Sequence, residues 1–69
     1  MAKPQKTARE LARMVAERIG APVTSVVVEK DANLGWHPTV YALPAQAAAS
    51  QRQAELAAQE LRTHYDLAD

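Results

Sequence analysis

Apolar residues return every fourth position from Leu11 through Val15 to Ile19, with Ala8 and Ala12 beside them. That spacing lays one stripe along a helix, because residues four apart share a face. The flanks agree with it. Thr7-Ala8-Arg9-Glu10 is spelled as a capping box: the Thr7 hydroxyl accepts from the Glu10 N–H, and the Glu10 carboxylate accepts from the Thr7 N–H. Gly20 stands where a left-handed cap is wanted, and Pro22 prevents continuation. The pattern predicts a helix from about Ala8 to Ile19.

The period then changes. Residues 23–29, Val-Thr-Ser-Val-Val-Val-Glu, are β-branched nearly throughout and predict a strand. Asp31-Ala32-Asn33-Leu34-Gly35 carries turn residues that tolerate positive φ. A second strand is expected from Trp36 or Thr39 to Leu43, paired with the first as an antiparallel hairpin. Pro38 has no N–H to donate, which places it at the start of its strand or on an unpaired edge. Helical spacing resumes in Ala54, Ala57, Ala58, Leu61 and Tyr65. A helix is expected over about residues 46–64. Its start is open between Pro44 as the first helical residue and a second capping-box spelling at Ser50-Gln51-Arg52-Gln53. Residues 1–6 and 66–69 read as frayed ends, with Leu67 the one residue able to pin the tail.

These elements make residues 1–69 one small α+β domain, a two-layer α-β-β-α arrangement with two helices on a two-stranded antiparallel hairpin. The layout has a difficulty. Val26 and Val28 face one way, Val23 and Val27 the other; Val40 and Ala42 likewise oppose Tyr41 and Leu43. A hairpin apolar on both faces, with two free edges, asks for cover on both sides or for pairing with a second copy. The layout leaves two alternatives, a monomer and a homodimer joined through hairpin edges.

Composition sharpens this. The hydrophobic fraction of 48% is rich in alanine, and large apolar side chains are few: one Trp, two Tyr and no Phe. A chain of 69 residues is near the lower limit for folding alone. No cysteine is available for a disulfide or a thiolate metal site. The start of the chain lacks a signal-peptide h-region, and no stretch approaches the roughly 18 apolar residues of a membrane span. The expected location is cytoplasmic, with no membrane partner. Net charge is zero but uneven. Residues 1–30 carry six basic groups against three acidic ones, and residues 31–69 two against five. Such asymmetry marks either a binding face or two halves that attract each other, within one chain or across a dimer.

Candidate chemistry is sparse. Two glycines cannot build a phosphate-cradling loop, and Ser25 and Ser50 have no local base or nucleophile elbow. Glu29 and Asp31 flank a turn and read as solubilising charges. His37 and His64 lack convergent metal-ligand spacing; Glu60 and His64, four apart, supply two ligands where a metal usually takes at least three. No catalytic residue, metal ligand or cofactor is assigned, and the chain is read as no enzyme. Trp36-His37-Pro38 is the most distinctive tripeptide, either a recognition corner or an indole capping the core. Lys6, Arg9 and Arg13 fall on one arc of the first helix and could contact phosphates, although Glu10 and Glu17 flank that arc.

The helix–strand–strand–helix order resembles the double-stranded-RNA-binding domain. That family adds a third strand and opens its last helix with lysines, where Ser50-Gln51-Arg52-Gln53 holds one basic residue; its function is not carried over. Gly35-Trp36-His37-Pro38-Thr39-Val40, and the ending from Glu60-Leu61-Arg62 to Tyr65-Asp66-Leu67, are similar to short uncharacterised bacterial proteins, a likeness that implies no activity. The leading expectation is a non-enzymatic protein-interaction module using Trp36, His37, Pro38 and Tyr41. The alternative is a weak nucleic-acid-binding domain using Lys6, Arg9 and Arg13.

Overall fold

The structure, a computed structural model, describes residues 3–68. Helix α1 spans Ala8–Ile19. Both halves of its capping box form: the Glu10 N–H donates to Thr7 Oγ1 at 3.1 Å and the Thr7 N–H to Glu10 Oε1 at 3.0 Å. Gly20 closes the helix at φ 72°, a conformation in which a Cβ would crowd the following carbonyl.

The chain does not enter the sheet at Val23, as the β-branched run suggests. Val23–Ser25 form a 3-10 turn, with the Ser25 N–H donating to the Pro22 carbonyl at 2.9 Å. This turn reverses the chain after α1, and local hydrogen bonding overrides the β preference of Val23 and Thr24. Strand β2 then runs Val26–Asp31 and strand β3 Gly35–Val40, antiparallel, with Val28 opposite Pro38. The early turn also shortens the second strand. Tyr41 N–H still reaches the Ser25 carbonyl at 2.8 Å, but the partners that Ala42 and Leu43 need have turned away.

Helix α2 spans Pro44–Arg62, with Pro44 in its first turn, so the Ser50 spelling starts nothing and lies inside the helix. α1 packs over β2, α2 over β3, and the helices touch each other. Their shared core is Leu11, Ala12, Val15, Ala16, Val26, Val28, Trp36, Val40, Ala54, Ala58 and Leu61. This is the α+β class, with both helices on one face of the hairpin.

One further pairing departs from expectation. The segments read as frayed ends meet: β1 (Gln5–Lys6) pairs in parallel with β4 (Asp66–Leu67). Asp66 N–H donates to the Pro4 carbonyl at 3.0 Å and Ala68 N–H to the Lys6 carbonyl at 2.8 Å. Leu67 packs against the core and supplies the anchor. The part of the fraying expectation that falls on residues 1, 2 and 69 lies outside the described residues. Charge asymmetry works within the chain, through Lys3–Asp66 at 3.4 Å and Arg18–Glu60 at 2.8 Å.

Candidate interaction site

The pleat of β3 divides the distinctive tripeptide. Residues 36, 38 and 40 point beneath α2, and residues 37, 39 and 41 point away. Trp36 is therefore core, at 1% exposure, and Pro38 is buried with it. The indole N–H donates to the Tyr65 carbonyl at 3.3 Å, and the Arg62 guanidinium lies 5.7 Å from the ring centroid. Neither Trp36 nor Pro38 belongs to an interaction surface; in so small a core their bulk is needed inside. Tyr41, 63% exposed, and half-buried His37 remain on the outer face, where Val27 is 40% exposed.

His37 is tied to the hairpin turn. Its Nδ1 lies 3.0 Å from Asp31 Oδ2, while Asp31 Oδ1 accepts from the N–H groups of Asn33 at 2.8 Å and Leu34 at 2.9 Å. The Leu34 and Asn33 amides, then His37, hold the Asp31 carboxyl below its ordinary value. Among the described residues no three metal-capable side chains converge. Nor is any described helix long and apolar enough to cross a membrane.

The two edges of the hairpin are unequal. Positions 36, 38 and 40 of β3 turn their backbone groups away from β2, so Pro38 loses no ladder bond there. α2 covers that edge with side chains. Gln51 accepts from the Val40 N–H and donates to the Pro38 carbonyl, both at 2.9 Å, and Arg62 donates to the Trp36 carbonyl at 3.0 Å. The matching outward positions on β2 are Val26, Val28 and Lys30. The Val26 N–H donates to the Val23 carbonyl; among the described residues, no group bonds the outward N–H or carbonyl of Val28. This edge lies in a groove of about 450 Å³ lined by Ala8, Arg9, Ala12 and Arg13 of α1 and by residues 23, 24 and 26–28.

The basic arc is also divided. Lys6 Nζ sits 5.5 Å from the Tyr65 ring centroid, away from the groove that Arg9 and Arg13 share. Glu10 lies among them, its carboxyl held below the ordinary value first by the Thr7 backbone amide and then by the Thr7 hydroxyl. Sequence reasoning missed the covering role of Gln51 and Arg62. It also missed the conjunction of Val28 with Arg9 and Arg13. Pro38 was the available signal: a proline paired inside a hairpin must turn its nitrogen outward, which fixes the outward positions on both strands. Comparison with protein-family models, curated proteins and solved structures finds no match to this chain.

Proposed function

We propose that this chain is a non-enzymatic protein-interaction module of the cytoplasm that engages a partner through the uncovered side of its hairpin. The observation that carries this reading is the asymmetry of cover. Both helices pack on one face, and α2 closes the β3 edge with Gln51 and Arg62. The outer face, with Val27 and Tyr41, is left to solvent, and the Val28 backbone on the β2 edge has no partner among the described residues. A self-paired sheet through β3 would have to displace Gln51 and Arg62, which disfavours the homodimer in that form.

A photo-crosslinking residue placed at Val27 or Tyr41 of the full chain, in the cells that make it, tests the proposal. Discrete protein adducts from these two positions are expected, with none from Glu17 on the exposed side of α1. Adducts absent from both, or equal at Glu17, sink the reading. The weak nucleic-acid reading rests on Arg9 and Arg13 sharing one groove wall. It requires ¹H–¹⁵N shifts at those residues with a mixed-sequence duplex that vanish steeply with salt. An unchanged spectrum removes it.

A further inference from the structure

We propose that the β2 edge at Val28 binds an extended, acidic segment of a partner protein by strand addition; this rests on the interaction-module reading and names its ligand. The backbone provides the template. Val28 presents an outward N–H and carbonyl that no group among the described residues bonds, beside the α1–β2 groove that it lines. An incoming strand would bond there and extend the two-stranded sheet to three. Its side chains would alternate. Those on the α1 side would meet the small Ala8 and Ala12, with Arg9 and Arg13 at the rim; those on the other side would extend the strip of Val23 and Val27. Among the described residues neither arginine forms an ion pair. The groove therefore matches a segment in which carboxylates alternate with β-branched residues.

Charge also decides against a second copy as occupant. A two-fold dimer presents the same patch to itself. The charged members of this groove wall are both arginines, so pairing β2 with β2 would set the Arg9 and Arg13 guanidinium pair against its own image.

The test uses the full chain, ¹⁵N-labelled, and a capped synthetic peptide of about eight residues, typical strand length, alternating Glu and Val. Controls are the same peptide with Lys for Glu, and one N-methylated on the nitrogens of one edge. The expected result is a shift of the Val28 amide and its neighbours with the Glu peptide below about 1 mM. Affinity should be at least about tenfold weaker for the Lys and N-methyl peptides. In the exposed double variant Arg9→Glu/Arg13→Glu the preference should reverse toward the Lys peptide. No shift at Val28, or equal binding of Glu and Lys peptides, overturns the proposal. Shifts confined to Val27, Thr39 and Tyr41 overturn it while leaving the interaction-module reading standing. A mixed-sequence duplex that binds at Arg9 and Arg13 more tightly than the peptide, with Val28 unchanged, overturns it in favour of a phosphate ligand. A concentration-dependent dimer that excludes the peptide overturns it in favour of a second copy.

Discussion

Trp36 contributes more volume to the core than any other buried side chain, and its polar tip is satisfied by the Tyr65 carbonyl. Replacing it with alanine should cost about 3–5 kcal/mol. A domain this small has a stability of that same order. Trp36→Ala is therefore expected to be largely unfolded by circular dichroism at 25 °C. Trp36→Phe, which keeps most of the bulk and loses one hydrogen bond, should fold with a lowered urea midpoint. Folded Trp36→Ala with a native midpoint would show that the ring is dispensable. Gln51 makes a different kind of contribution. Its amide answers one donor and one acceptor on the β3 edge, a task that needs both an oxygen and an NH₂. Gln51→Ala should cost about 1–2 kcal/mol by urea unfolding, since Val40 N–H and the Pro38 carbonyl are half-shielded and lose their partner. Gln51→Glu should recover only part of this at neutral pH, because a carboxylate cannot donate to the Pro38 carbonyl.

At the scale of elements, the ends of the hairpin and of α1 are set by carboxylates that accept backbone N–H groups. Asp31 holds the hairpin turn and Glu10 holds the α1 start; both have folded values below the ordinary ones. A depressed carboxylate adds stability at pH above its unfolded value, about 3.9 for Asp and 4.3 for Glu. That stability is lost as pH falls through the lower folded value. The urea midpoint should therefore fall as pH drops below about 4. Asp31→Asn keeps an oxygen for Asn33 and Leu34 but cannot titrate, so it should lower the neutral midpoint by what the charge contributes and shallow the acid loss by the same amount. An unaltered acid slope in Asp31→Asn would assign the loss to other groups. These devices also mark what was legible. α1 was readable to the residue because Thr7, Glu10 and Gly20 act locally and its apolar stripe is periodic. The strand ends were misplaced because the Pro22–Ser25 hydrogen bond competes with β preference, and no pattern in Val23-Thr24-Ser25 announces the winner. α2 was readable in its body, where Ala54, Ala58 and Leu61 meet the core. Its start was ambiguous because its first turns, residues 44–49, are mostly exposed and their polarity carries no period. Of the four residues named for an interaction surface, Tyr41 is exposed and His37 half-buried on the outer face, while Trp36 and Pro38 are buried; extending the alternation of residues 40–43 back along the strand separates the two pairs.

At the scale of the molecule, the chain closes on itself through a contact that has no sequence signature. Strands of two residues are too short for periodicity, so β1 and β4 were read as loose ends. What joins them is tertiary: Leu67 reaches the core, and the parallel backbone ladder and the Lys3–Asp66 pair follow. Lys3 also donates to the Arg62 carbonyl at 2.7 Å, tying the start of the chain to the end of α2. Removing residues 66–69 deletes the parallel backbone ladder of three hydrogen bonds, the exposed ion pair and the half-buried leucine, yet leaves Tyr65 to accept from the Trp36 indole. At about 1 kcal/mol per hydrogen bond, about 0–1 for the exposed pair and about 1 for the leucine, the loss should be about 4–5 kcal/mol. For a domain of this size that lowers Tm by about 16–40 °C. Hydrogen exchange in the full chain separates this account from a merely decorative clip. Asp66 and Ala68 amides should be protected along with the Val27 and Glu29 amides that face β3. The Val28 amide, outward on the open edge, should exchange quickly although its side chain is buried. If Asp66 and Ala68 exchange as fast as Val28, and the truncated chain melts within a few degrees of the full one, the ends contribute nothing, and the stability of this fold must reside in the hairpin and its two helices alone.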